Sequence, residues 1–288
     1  MRYPFAKYQG LGNDFIVLDA RQWPESMVDA KLAQRLCDRH TSVGGDGILW
    51  VELRQDRSAR LVIYNQDGSR PEMCGNGVRC VAAYFADREE LKPGQTLALE
   101  TDAGPRPIEL VDVGYDGSWS STIDMGVVRA DPQAFASVEL SGAPREVYFA
   151  DAGNPHAILF IDDVADASPE RTNAREAAAA AVRAHGERYP NGTNVEFVGR
   201  NQDGSLRARV HERGVGWTLA CGTGACAVAA VFAARNGEAQ AITPVELDGG
   251  RLLIRMTKTA PGSYQVWMSG PARRAFRGTI EQHEIGAW

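Results

Sequence analysis

Two cysteines, Cys74 and Cys221, stand in the same short context: the first opens CGNG, the second opens CGTG, and an apolar run follows each. Aligned at an offset of 147, residues 74–88 and 221–235 agree at nine of fifteen positions. A sulfur one residue before Gly, at the start of an apolar helix, occupies a chemically useful place. The first turn of a helix carries unpaired N–H groups and about half a positive charge, so it welcomes an anion. Glycines let a ligand approach the backbone closely, and a thiol at a helix N-terminus is expected to have its pKa lowered toward neutrality. A duplicated pair, one per domain, can face each other across the cleft between the domains. Such a pair would hold a carboxylate at two helix starts, with one sulfur on either side of the neighbouring carbon. One cysteine, as thiolate, would take the α-proton, and the other, as thiol, would protonate the opposite face, inverting the centre. Backbone donors at Gly75, Asn76, Gly222 and Thr223 would meet the charge that develops on the carboxylate. One such donor is worth about 3–4 kcal/mol in a transition state.

The same residues also admit a packing reading, because Cys is among the most buried residue types. That reading is preferred for Cys37, Cys80 and Cys226, which fall within helical runs; for Cys74 and Cys221 the repeated Cys-Gly-polar-Gly pattern favours chemistry. Metal is not expected, since five and four residues separate the cysteines of the two motifs, without the close pairs and histidine partners of a closed zinc site. An odd set of five cysteines in a reducing compartment argues against a disulfide framework.

The elements that must position these sulfurs are themselves repeated. GLGNDFIVLD, ending at Asp19, is echoed by DAGNPHAILF, ending at Phe160, so Asn13 corresponds to Asn154. GGDGILWVE from Gly44 lies opposite NGTNVEFVG from Asn191, and RLVIYNQDGS from Arg60 opposite RARVHERGVG from Arg207, which aligns Gly47 with Asn194 and Asn65 with Glu212. Each half reads as a strand, a helix, short strands, the Cys-bearing turn, a central helix and more strands. Helices are expected over Glu25–Asp38, Val78–Glu90, Pro169–Ala184 and Ala225–Asn236. Strands with β-branched or aromatic alternation outnumber them, separated by turns such as the two QDGS tetrapeptides. Runs that are apolar nearly all round, after each cysteine, have to be enclosed. The fold expected is α+β: two pseudo-symmetric domains, each a bent, mainly antiparallel sheet wrapped around a central helix. The domains are placed at residues 1–117 and 118–270, with a linker near VGYDGSW at Val113.

The chain has 288 residues, 44% of them apolar, and a formal net charge of −6. It is long enough to bury real cores. No run of Lys or Arg gives a footprint for nucleic acid or an anionic membrane, so a small neutral or zwitterionic ligand fits better. The N-terminus has no apolar targeting segment, and a cytoplasmic location is expected.

Beyond these local readings, KYQGLGNDFIVLDA, GGDGIL, YNQDGSRPEMCGNGVRC, DAGNPHAI, TNVEFV, HERGVGWTLACGTGACA and MSGPARRAFRG, in that order along almost the whole chain, resemble the diaminopimelate epimerase family. The resemblance implies a two-base epimerase in which Cys74 and Cys221 flank the reacting carbon of LL-diaminopimelate and yield the meso form. It implies no pyridoxal phosphate, metal or nucleotide, a homodimer, and a last strand around Ala272–Gly278 that returns to the first domain, placing 271–288 there. By motif, Asn13, Asn65, Asn154, Asn194, Glu212 and Arg213 become substrate contacts, Gly75, Asn76, Gly222 and Thr223 hold the reacting carboxylate, and His156 and Glu212 tune the thiols. A second amino-acid head on the substrate calls for amides and one Arg fork. Singly, each Asn also reads as a turn former. The family often carries Glu or Gln at the position of Gly47, and commonly Glu at that of Trp217. Three alternatives stay open: a racemase of another amino acid such as histidine, against which Arg213 with Asn65 and Asn194 argues; a cysteine hydrolase using His156; and a module that binds an amino acid without turning it over.

Overall fold

The computed structural model describes residues 1–54 and 58–286. The chain divides into two compact units, Met1–Asp124 with Gly270–Trp288, and Met125–Ser269. The first contains β1 (Arg2–Gly10), β2 (Asn13–Asp19), α1 (Ala30–Cys37), β3 (Gly47–Leu53), β4 (Ser58–Asn65), α2 (Gly75–Ala86), β5 (Thr96–Thr101), β6 (Gly104–Val113) and the start of β7 (Trp119–Leu140). The second contains the rest of β7, then β8 (Ala143–Asp151), β9 (Pro155–Phe160), α3 (Pro169–Arg183), β10 (Asn194–Arg200), β11 (Leu206–Glu212), β12 (Gly216–Thr218), α4 (Gly222–Asn236), β13 (Gln240–Leu247), β14 (Gly250–Ala260) and the start of β15 (Ser263–Glu281). The end of β15 and α5 (Gln282–Gly286) belong to the first unit.

Strand order in the first unit is β15-β1-β2-β3-β4-β5-β6-β7, and in the second β7-β8-β9-β10-β11-β13-β14-β15. The two match strand for strand. Pairing is antiparallel except for β2–β3 and β4–β5 in one unit and β9–β10 and β11–β13 in the other. Each parallel pair is joined by a helical crossover, since parallel neighbours cannot be linked by a tight turn.

The helices sort by their apolar surface. α2 is buried along its whole length and packs on β1, β2, β3 and β6, while α4 packs on β8, β9, β10, β11, β13 and β14. A helix without a polar face has no other stable place. α1 and α3 are one-sided. Asp29 caps α1 by accepting from Leu32 N–H, and its Leu32, Ala33 and Leu36 join Ile16, Leu18, Ile48, Trp50 and Val62. Ser168 caps α3, Pro169 fills its first turn, and Ala178, Ala179 and Val182 pack with Leu159, Val195 and Phe197.

Several local outcomes differ from the sequence reading. The helix expected over Glu25–Asp38 is split: a 3-10 turn at Glu25–Met27 ends at extended Val28, and Asp29 starts a new helix. The two central helices begin three residues earlier than expected, at Gly75 and Gly222, which makes both cysteines N-caps. VGYDGSW forms the β6–β7 hairpin turn, closed by Gly114 N–H donating to Ser118 O at 2.7 Å, and the chain passes between units inside β7 and again inside β15. Among the described residues, no helix is long and apolar enough to cross a membrane.

Candidate active site

Each cysteine is the last extended residue before a helix, Cys74 at φ −143°, ψ 112° and Cys221 at φ −126°, ψ 109°. The second Gly of each motif is fixed by close approach. A Cβ on Gly77 would lie 2.9 Å from Leu49 Cδ2; one on Gly224 would lie 2.8 Å from Glu196 Oε1 and 3.2 Å from Cys221 Sγ. Gly75, Asn76 and Gly222 are buried and Thr223 is half-buried. Their N–H groups belong to the first turns of α2 and α4, where a helix has no internal partners to offer.

In the first unit Cys74 Sγ lies 4.0 Å from Asn13 Oδ1, the oxygen that also accepts from Asn76 Nδ2 at 3.1 Å. Asn76 Oδ1 in turn accepts from the buried Arg79 at 2.8 Å. The other end of the Asn13 amide donates to Asp46 Oδ2 at 2.6 Å. Asp46 belongs to a charged lattice: Arg39 reaches both Asp46 and Asp14, and the buried Lys7 pairs with Asp14 and donates to Gly44 O. Burial works to raise the Asp14 carboxyl, yet Arg39 and Lys7 outweigh it and hold that group below the usual carboxylate range. Cys74, Asn13 and Asn76 thus form one cluster. Asn65 stands in the turn that ends β4, its Nδ2 donating to Ser69 Oγ at 2.9 Å. Gly47, opposite Asn65 in the β3–β4 ladder, leaves no room for a side chain, because a Cβ would come within 2.5 Å of Tyr64 O.

In the second unit Cys221 Sγ accepts from Gly224 N–H at 3.3 Å and lies 3.5 Å from Thr223 Oγ1. Contrary to the lowering expected at a helix start, burial pushes this thiol well above its ordinary range, and the Glu212 and Glu196 carboxylates push it the same way. Thr223 and the Gly224 N–H oppose them and lose. Glu212 accepts from Thr218 Oγ1 at 2.7 Å. Asn194 Oδ1 accepts from Arg213 N–H at 2.9 Å, while the exposed Arg213 guanidinium donates to Asn191 O at 2.5 Å. His156 is wholly buried between Glu196, with Nδ1 2.6 Å from Oε1, and Asn154, with Nε2 2.9 Å from Oδ1. Trp217 donates to Glu176 Oε1 at 2.8 Å, and its ring packs on Phe197 and His211, so this side chain serves α3 and the core.

Sequence reasoning passed over Glu196, Asp46, Lys7, Asp14 and Arg39. Asp46 had a signal, a charged residue inside GGDG. Among the described residues no group of three or more His, Cys, Asp or Glu side chains is gathered as a metal site requires.

A family model for Diaminopimelate epimerase matches residues 5–130 and 148–275. A diaminopimelate epimerase of Microcystis aeruginosa is 39% identical over 289 residues, covering 96% of this chain and 99% of its own. That of Desulfitobacterium hafniense is 38% identical over 287 residues, covering 95% and 96%. Among solved structures, a PhzF-family phenazine biosynthesis protein of Bacillus anthracis superposes with a TM-score of 0.74 at 16% identity, covering 98% of this chain and 99% of its own. A hydroxyproline epimerase from Agrobacterium vitis reaches 0.69 at 14%, covering 97% and 91%. The structural likenesses show the fold, and the near full-length sequence matches go further: the chain belongs to the diaminopimelate epimerase family of isomerases.

Proposed function

We propose that this protein converts LL-2,6-diaminopimelate to the meso form by cofactor-independent, two-base proton transfer, with Cys74 and Cys221 acting on opposite faces of the α-carbon. The observation that carries this reading is the paired placement of the sulfurs, each the N-cap of an enclosed helix in two units of matching topology. N–H groups of Gly75, Asn76, Gly222 and Thr223 hold the reacting carboxylate and take up the charge of the carbanion, which is the service a cofactor would otherwise supply. Asn13, Asn65, Asn154, Asn194, Glu212 and Arg213 bind the rest of the substrate. With its thiol pushed up by burial and two carboxylates, Cys221 is the proton donor of the resting enzyme and Cys74 the base. Family resemblance supports a cytoplasmic homodimer, which light scattering on the purified chain checks.

The pure protein incubated with LL-diaminopimelate in heavy water is expected to place deuterium at the α-carbon and to form the meso isomer. C74A and C221A are each expected to lose at least about 10³-fold in turnover, as loss of an indispensable acid or base does. Tight binding without label would identify a binding module instead, and a single mutant with near-normal turnover would overturn the two-base scheme.

A further inference from the structure

The His156–Glu196 pair has no counterpart in the first unit. His156 opposes Asn194 in the parallel β9–β10 ladder, and Phe15 opposes Gly47 in the equivalent β2–β3 ladder. Two residues further along, Glu196 corresponds to Leu49. All four side chains are buried, so one scaffold closes over hydrocarbon in one unit and over a titratable pair in the other. Packing therefore does not demand the pair. Buried pairs are commonly no more stabilising than apolar residues of similar volume, and they persist where they specify an arrangement.

The arrangement specified is the orientation of one amide. His156 Nδ1 lies 2.6 Å from Glu196 Oε1 and Nε2 lies 2.9 Å from Asn154 Oδ1. Two ring nitrogens facing two oxygens require one proton between Nδ1 and Oε1 and a second on Nε2. Asn154 Oδ1 is then committed to the ring, and its NH₂ is the edge left for a ligand. Asn13 is held the opposite way, its NH₂ committed to Asp46 and its oxygen accepting from Asn76 and facing Cys74. Glu196 lies against the first turn of α4: Oε1 is 2.8 Å from the position a Gly224 Cβ would take. Its charge reaches Cys221, Tyr189 and Arg183, and none of these makes a hydrogen bond to Oε2.

We propose that Glu196 is a positioning residue which, through His156, fixes Asn154 with its NH₂ toward the ligand, so that this edge of the site takes an acceptor such as a substrate carboxylate oxygen. The ligand class rests on the epimerase reading; the amide orientation does not. The first test is N154D, which keeps the oxygen that His156 addresses and turns only the outward NH₂ into a second acceptor. It is expected to remain folded and to raise KM for diaminopimelate at least tenfold, with a smaller change in kcat. H156F/E196L, which installs the apolar pair of the first unit, is expected to stay folded with a smaller rise in KM, because the amide is then free to turn. An unchanged KM in N154D overturns the proposal. Independently of turnover, nitrogen-15 histidine spectra of the wild-type chain, assigned through H156F/E196L, are expected to show a protonated Nε2 on His156. With the His156 signal assigned independently by triple-resonance correlation to the backbone of the wild-type chain, a bare Nε2 overturns the proposal even if neither variant folds. Absence of α-deuteration by the wild-type protein would instead remove the epimerase reading and leave the spectroscopic result standing.

Discussion

Phe15 with Leu49 and His156 with Glu196 occupy the same two ladder positions of two sheets with the same strand order. Around the first pair the polar work is done at the rim, where Lys7, Asp14, Arg39 and Asp46 hold Asn13 by its NH₂. Around the second pair Thr193, which aligns with Asp46, donates to Pro155 O, which aligns with the backbone of Asp14, and its own carbonyl accepts from Arg183. There the charge lies beneath, and it holds Asn154 by its oxygen. One frame is repeated, and the two copies differ in which end of the equivalent asparagine is held, the NH₂ of Asn13 and the oxygen of Asn154. The cysteines differ with them. Cys221 accepts a backbone N–H and has carboxylates nearby, while Cys74 faces an amide oxygen.

The largest expected effect that would break this comparison is a contrast between two alanines. G224A drives a methyl against Glu196 Oε1 and Cys221 Sγ and is expected to cost about 10²-fold in kcat, because small displacements of reacting groups carry that penalty. G77A meets a single Leu49 methyl at 2.9 Å and is expected to show mainly a stability loss of about 1–3 kcal/mol, read by denaturant titration; equal kinetic damage would mean that the carboxylate under α4 is irrelevant. Transplanting the pair is the next step. F15H/L49E places ionisable groups where nothing else has adapted to them and is expected to lower stability by about 1–4 kcal/mol, whereas H156F/E196L is expected to be near neutral on melting. D46N removes the charge that accepts from Asn13 Nδ2 and is expected to cost about 1.5–3 kcal/mol in kcat/KM.

A sharper measure of the cysteines is their alkylation rate against pH. Because the Cys221 thiol is raised, its thiolate appears only as pH climbs well above the usual thiol range, so iodoacetamide should label it slowly near neutrality and faster in alkali. E212Q removes one of the carboxylates that raise it and should shift that rise to lower pH, with roughly fivefold faster labelling at fixed pH, equivalent to about 1 kcal/mol of charge interaction. W217F loses the hydrogen bond to Glu176 and part of the ring's contact with Phe197, His211 and Arg209 and is expected to destabilise by about 1 kcal/mol on thermal melting, with kinetics unaltered.

Much of this architecture is legible in the sequence for a simple reason: runs such as VRCVAAYFA and ACAVAAVFAA have no polar face, so they announce enclosed helices, and their repetition announces two of them. β1 and β8 were not anticipated, and they too are equivalents, each carrying a proline near its start (Pro4, Pro144) and β1 a buried Lys7. Proline and lysine argue against a paired strand unless tertiary partners are known. Glu196 was illegible for a different reason. In a strand with one wet face, a lone charge between apolar neighbours is read as pointing outward, but β10 is covered by α3 on one side and α4 on the other and is buried over six consecutive residues. Alternation carries no information there. Asn13, Asn76 and Cys74 were named separately; that one amide oxygen serves two of them follows only from the way β2 meets the start of α2.

The passage of the chain between units inside strands has a consequence for biosynthesis. The first unit takes the edge of its sheet from residues 270–281, so although residues 1–124 are made before the second unit, β1 waits with an open edge until residues 270–281 follow. The second unit, contiguous from 125 to 269, can close first. A chain stopped at Ser269 would carry that open edge permanently and is expected to aggregate through it, which makes residues 270–281 the stitch that closes the first unit.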